Sequence, residues 1–292
     1  MAEQQPTTTS HIDAVQVVGK IADSPEFARN REVGYSTQRA FARSALELAG
    51  MNHRTNIEDD YRPEASKLTA ETALYAMVGS LPSLVYGLEG MQHHNQESKL
   101  PYQTFRSLKE RAVQFNHATK TLIDRDPSIE FGKLSATIVG MYGLLNRDRW
   151  GNDQRGYYKE ARQFKNQMEG RLRGMYQEVA AVAVINSMEG VDISVNPDVG
   201  AEDDLHGVDM WVTLDGVTFP VDIKASERTA HFARKKSDMP CSIITSGLPS
   251  PAYSDTFEVN PEAASAVADD LLDKLYAART EFLATKLQTA LA

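Results

Sequence analysis

Apolar side chains in the first half of the chain recur every three to four residues, the spacing of one face of an α-helix. Ser36 or Thr37 precedes one such stretch, which Gly50 can end, and Thr69 precedes another. Pro82 suits the first turn of a following helix. The pattern predicts helices over residues 11–23, 38–49, 70–81, 83–91, 101–125 and 128–146. We therefore expect an all-helical domain over residues 10–150, after a polar tail of residues 1–9 that is predicted to be disordered.

The pattern changes after residue 150, where helical and strand-like stretches alternate. A long helix that ends near Met188 is followed by a strand over residues 191–197 and by a hairpin. A helix over 227–236 and a strand over 241–246 come next. The prediction is a mixed α+β fold in which the helical half precedes an α-β-β-β-α-β core with a C-terminal helix, over residues 151–292.

The hairpin carries the strongest local signal in the sequence. Its strands are predicted over residues 208–214 and 217–225, joined at Asp215 and Gly216, a dipeptide typical of two-residue hairpin turns. Asp209 lies at the start of the first strand. The pairing should therefore bring Asp209 next to the end of the second strand.

Side chains alternate between the two faces of a strand, so Pro220, Asp222 and Lys224 should share a face opposite the apolar one. Pro220 predicts a strand edge or a bulge, because proline has no N–H for a sheet ladder. Two carboxylates and an amine then meet at one end of the hairpin. Converging carboxylates repel each other, and a hard divalent cation with oxygen ligands relieves that repulsion. Mg²⁺ is the expected ion, with Mn²⁺ as an alternative.

The composition limits the classes of function. A net charge of −9 argues against nucleic-acid binding over the whole surface, but leaves room for a local basic groove. The single cysteine, Cys241, excludes an internal disulfide and a cysteine-based zinc site, and it favours a reducing, cytoplasmic location. The polar start of the chain predicts no signal peptide, and no apolar run is long enough for a membrane span.

Gly207-x-Asp209, followed by Asp222-x-Lys224, resembles the signature of the PD-(D/E)xK nuclease superfamily. The order of predicted elements is also similar to the restriction-endonuclease-like core of that family. Such a core often receives a further acid from its first helix, and Glu178 interrupts the apolar run of the corresponding helix here. A carboxylate on an apolar stripe needs a partner.

The resemblance implies a set of catalytic and metal-binding residues. Asp209, Asp222, Glu178 and the backbone carbonyl of Ile223 would hold one or two Mg²⁺ ions. Lys224 would orient or deprotonate the attacking water, or stabilise charge on the scissile phosphate. The preceding loop offers further polar groups near the substrate, or belongs to a mobile segment: Asp203, Asp204 and His206.

Basic residues flank this acidic centre. Residues 147–173 contain eight Lys or Arg against four acids, and residues 224–236 contain five against one. Such clusters can hold a phosphodiester backbone, although charge runs are also common on solvated helix faces. The candidate nucleic-acid-binding residues are Arg171, Arg173, Arg228, Arg234, Lys235 and Lys236.

Each central residue also has a simpler interpretation. Asp209 is a turn residue, Asp222 and Lys224 are an exposed ion pair on a strand, and Glu178 is an acid at the flank of an amphipathic helix. The combination in order favours a Mg²⁺-dependent DNA endonuclease of restriction, repair or anti-phage type. A non-catalytic binding protein with a degenerate nuclease-like domain and a nuclease acting on RNA are the alternatives. The helical half would serve target recognition or assembly, for which a homodimer is one arrangement.

Overall fold

The computed structural model describes residues 14–51, 68–95, 102–146, 153–197, 199, 203, 207–236 and 241–291. The predicted tail over residues 1–9 lies outside this part of the chain. The helical half contains α1 (Ala14–Ala22), α2 (Pro25–Glu32), α3 (Thr37–Leu48), α4 (Ala70–Asn95), α5 (Tyr102–Arg125) and α6 (Phe131–Leu145). The prediction of an all-helical first half is confirmed for the described residues.

Local signals set most of these helix boundaries. The Ser36 side chain accepts a hydrogen bond from the Arg39 N–H and so caps α3, as predicted. Thr69 Oγ1 accepts from the Thr72 N–H at the start of α4. Sequence reasoning missed α2, although Ser24 caps it and Pro25 occupies its first position.

The prediction that Pro82 begins a new helix is wrong, because Pro82 lies inside the continuous helix α4. An internal proline removes one helix hydrogen bond and usually breaks or kinks the helix. The flanking residues Met77, Leu81 and Leu84 are almost fully buried in the core against α3 and α5. Packing on both sides of the proline therefore outweighs the local preference.

The second half begins with the long helix α7 (Gln154–Asn186), which is capped by Asp153. It continues with β1 (Ile193–Asn196), β2 (Met210–Leu214), β3 (Val217–Lys224), α8 (Glu227–Lys236), β4 (Ser242–Thr245) and α9 (Pro261–Leu291). The predicted order of elements, and with it the mixed α+β fold class, is confirmed. The observed strands are shorter than predicted by one to three residues at their ends.

The four strands form one sheet in the order β1-β2-β3-β4. The first three are antiparallel, and β4 runs parallel to β3 after the α8 crossover. Asp215 and Gly216 have φ angles of 49° and 74°, as a two-residue primed turn requires. The predicted hairpin is confirmed, and its register places Met210 opposite Val221.

Strand β3 differs from the prediction because both of its faces are buried. Residues Phe219 through Ile223 are all shielded from solvent, including Pro220 and Asp222. The strand lies between β2 and β4, with helices packed against it. The described pairing between β3 and β4 begins at Val221, one residue after Pro220. Pro220 therefore does not have to donate a hydrogen bond to β4.

A single cluster of buried apolar residues extends through both halves and includes side chains from α4, α5, α7, the sheet and α9. Helix α7 contributes Met168, Met175 and Val184 to it. None of the described helices is long and apolar enough to cross a membrane.

Candidate active site

Asp209 is fixed at the entrance to β2 by two backbone contacts across the hairpin. Its N–H donates to the Val221 carbonyl at 2.9 Å, and its Oδ2 accepts from the Ile223 N–H at 2.8 Å. The side chain is partly buried. The simpler interpretation of Asp209 as a turn residue is therefore incomplete. Its carboxylate accepts a hydrogen bond from β3 at Ile223, the residue between Asp222 and Lys224.

Asp222 is the most unusual group of the site, because a carboxylate that is only 6% exposed lies beside a second one. Burial raises its pKa to about 8, and the charge of Asp209 and a hydrogen bond with Asp209 act in the same direction. Lys224 opposes this shift without cancelling it. Asp222 therefore holds a proton more readily than an ordinary aspartate and can share it with Asp209.

Lys224 extends from the end of β3 and forms an ion pair with Oδ1 of Asp222. Burial alone would lower the pKa of this ammonium group, but the charges of Asp209 and Asp222 outweigh burial and raise it. Glu178 adds to the same effect. Lys224 is therefore a retained cation, and the predicted group of Asp209, Asp222 and Lys224 is together in the structure.

Glu178 lies near this group but is engaged elsewhere. Its Oε2 is 2.5 Å from Nζ of Lys120 on α5, and both side chains are largely buried. The partner that a carboxylate on an apolar stripe requires thus comes from the helical half. Among the residues that the structure describes, no group of three or more His, Cys, Asp or Glu side chains is arranged to hold a metal ion.

Cys241, the residue before β4, lies close to the charges of Asp222 and Asp209. Burial raises the pKa of its thiol to about 12, and the charges of Asp222 and Asp209 add to this effect. The thiol is therefore uncharged and a poor nucleophile.

Asp203, which precedes β2 in the chain, makes two hydrogen bonds. Oδ2 of Asp203 accepts a hydrogen bond from Nε1 of Trp211 at 3.2 Å, and its carbonyl accepts from the Val208 N–H at 2.9 Å. These contacts place Asp203 in a structural role at the loop. Asp204 and His206 lie outside the described residues.

The basic residues predicted to contact nucleic acid lie on two helices, α7 and α8. Arg171 donates to Asn116 on α5, and Arg173 lies 4.7 Å from the centre of the Phe131 ring. Arg228 is exposed on α8, whereas Arg234 donates to the Ile243 carbonyl at 2.8 Å. Lys235 and Lys236 are the last two residues of α8, and their side chains are not among the described parts of the structure.

Sequence reasoning missed the polar residues that surround the end of β4. Thr245 lies beside Lys224 in the parallel ladder, and it contacts Glu227 and Lys274. Ser246 donates to the fully buried Gln177, the neighbour of Glu178 on α7. These residues come from α7, α8, β4 and α9 and from the segment after β4, so no local pattern could have grouped them.

No family model, characterised protein or solved structure matches this chain. The nuclease resemblance therefore depends on the residues of the site itself.

The donor set of the site fits one divalent cation. The carboxylates of Asp209 and Asp222 are oxygen donors, and burial together with the charge of Asp209 raises the pKa of Asp222, so charging both acids is costly. A cation between them would remove that cost. Ile223, the residue after Asp222 in β3, already donates its N–H to Asp209. Glu178 could join such an ion only by leaving Lys120.

Proposed function

We propose that this protein is a Mg²⁺-dependent phosphodiesterase that cleaves DNA as an endonuclease. The observation that carries the proposal is the buried pair of Asp209 and Asp222 beside Lys224 at one end of the hairpin. Two adjacent carboxylates in a poorly solvated site are costly even beside one lysine, and such pairs are typical of metal-binding and catalytic centres. The choice of DNA follows from the family resemblance.

Asp209 and Asp222 would hold the ion, with Mn²⁺ as an alternative to Mg²⁺. The ion supplies a water of lowered pKa and positive charge against the phosphate. Asp209 contributes a carboxylate whose orientation is already fixed by the Ile223 N–H. Asp222 must release its proton before it can act as a ligand.

Lys224 would stabilise charge on the scissile phosphate and orient the attacking water. As a retained ammonium group it donates hydrogen bonds and does not accept a proton. The raised pKa therefore favours electrostatic stabilisation over a role as the general base. Of the roles expected from the resemblance, we therefore propose charge stabilisation and orientation of the water, and not its deprotonation.

Cleavage of supercoiled plasmid and of linear duplex DNA with Mg²⁺ tests the proposal. Asp222→Asn keeps the shape of the side chain but removes a charged ligand, and Lys224→Met keeps the apolar stem. Each variant should lower the rate at least about a hundredfold, the scale expected for losing one electrostatic contact in a transition state. Asp269→Asn changes an exposed acid on α9 and serves as the control.

A non-catalytic binding protein is the second candidate, and one observation favours it. Glu178 is held by Lys120, and the described residues include no three-carboxylate metal group. Folded wild-type protein that cleaves neither DNA nor RNA with Mg²⁺ or Mn²⁺ would support this candidate over the nuclease. Direct competition between DNA and RNA substrates would identify the preferred nucleic acid.

A further inference from the structure

A second lysine lies beside the candidate site at the end of the neighbouring strand. Thr245 is the last residue of β4, only 6% exposed, and it is the register partner of Lys224 in the parallel β3–β4 ladder. Adjacent strands are about 4.8 Å apart. The polar atoms around Thr245 are therefore one strand away from Lys224.

Lys274 of α9 is anchored on this residue. Its Nζ donates to the carbonyl of Thr245 at 3.2 Å and to Oγ1 of Thr245 at 3.0 Å. The Thr245 hydroxyl in turn donates to Oε1 of Glu227 at 2.9 Å. Two hydrogen bonds to one buried residue fix the ammonium group at the end of the sheet.

The third contact of Lys274 is exchangeable. Its ammonium group lies 2.7 Å from Oδ2 of Asp270, one helical turn away. The Asp270 side chain is 61% exposed, whereas that of Lys274 is 28% exposed. Exposed pairs of this kind contribute little to stability. A phosphate oxygen could therefore replace Asp270 while the bonds to Thr245 remain.

The acidic charges around the site require a further cation if a substrate phosphate is to bind there. Lys224 is already paired with Asp222, and the charges of Asp209 and Glu178 also act on it. Lys274 contacts Asp270 directly and Glu227 through Thr245, and Arg234 approaches Glu227 at 3.5 Å. Phosphodiester substrates carry one negative charge per phosphate, and each needs compensation close to the acidic centre.

We propose that Lys274 is a substrate-binding residue that contacts a phosphate of the nucleic-acid backbone, next to the phosphate held at Lys224. This inference rests on the proposed nuclease function. It assigns to α9 a direct part in the site, and it extends the phosphate-binding surface from β3 across β4. Thr245 is the positioning residue for this contact.

The test compares Lys274→Met with Lys274→Arg and with Lys286→Met. Lys286 lies on the same helix but packs over the Phe282 ring, away from Thr245, and provides the matched control. Binding of a short fluorescent duplex is measured by anisotropy with Ca²⁺ in place of Mg²⁺, at several salt concentrations. Cleavage kinetics with Mg²⁺ then separate KM from kcat, and thermal unfolding checks that each variant is folded.

We expect Lys274→Met to weaken duplex binding and to raise KM by about tenfold, with kcat changed less than about threefold. The slope of log affinity against log salt should fall by about one, which corresponds to one lost phosphate contact. Lys274→Arg should restore most of the affinity, and Lys286→Met should behave as wild type.

Unchanged affinity and salt slope in Lys274→Met, in a wild type that binds and cleaves DNA, would overturn this inference alone. An equal loss in Lys286→Met would also overturn it, because the effect would then be one of general charge. Wild type that neither binds nor cleaves nucleic acid would instead reject the proposed function, and this inference with it.

Discussion

Lys120 and Glu178 form an ion pair of 2.5 Å that joins α5 of the helical half to α7 of the mixed half. Glu178 also lies close enough to Lys224 for its charge to act on that ammonium group. Lys120 of the helical half is thus connected through Glu178 to the edge of the candidate site. No local pattern in the sequence indicates this contact.

Removal of Lys120 should destabilise the fold because Glu178 is only 16% exposed and loses its countercharge. We expect Lys120→Met to lower the free energy of unfolding by about 1–3 kcal/mol. Lys120→Met combined with Glu178→Met should cost less than the sum of the two single variants, because the charges are removed together. Urea unfolding measures all three variants.

The exposed pair of Lys133 and Glu130 provides the control for this experiment, with side chains 60% and 38% exposed. Lys133→Met should change the free energy of unfolding by less than about 1 kcal/mol. Additive effects at Lys120 and Glu178 would show that the pair does not act as a unit.

Stability without metal should fall as the pH rises from about 4 to about 8. The pKa of Asp222 is about 8 in the folded protein and is ordinary in the unfolded chain, so the folded state binds an additional proton in this range. Stability therefore decreases with pH across that window, because the native state must give up the proton. Chemical unfolding with a chelator present, at several pH values, measures this slope.

Asp222→Asn should flatten this pH dependence, since asparagine does not titrate. At pH 8 the variant should be more stable than the metal-free wild type, by roughly 1–4 kcal/mol, because the neutral amide avoids the cost of ionising Asp222 in this site. A wild type and variant with parallel pH profiles would contradict the assignment of the titration to Asp222.

The hairpin turn should be sensitive to a side chain at Gly216, whose φ is 74°. We expect Gly216→Ala to destabilise the protein by about 1–2 kcal/mol, because left-handed backbone is strained for residues with a Cβ. Gly140→Ala on α6 is the control, since an added Cβ there meets nothing within 4 Å. That control should be neutral or stabilising in thermal unfolding.

Much of the fold was predictable because its signals are local. The Asp215-Gly216 turn, the Ser36 cap and the whole of α8 follow from residues within one or two turns of each other. Pro82 shows the limit of this reasoning, because only the packing of its neighbours decides that α4 continues.

The site was predictable where one hairpin supplies it. Turn register alone brings Asp209 next to β3, so the grouping with Asp222 and Lys224 could be inferred. The burial of Asp222 was not predictable, because it depends on β4 and the packed helices. Lys120 and Lys274 come from elements that are distant in sequence, and no periodicity indicates which side chain they meet.

The central claim, that Asp209 and Asp222 share a divalent cation, is tested most directly by titrating Mn²⁺ into the DNA-free protein in a calorimeter. The account predicts binding to wild type and to Asp269→Asn, and loss or at least about tenfold weakening in Asp222→Asn and Asp209→Asn. Affinity should increase as the pH rises toward 8, because Asp222 must lose its proton. Binding that is equal in wild type and Asp222→Asn, or absent from the folded wild type, would contradict the account.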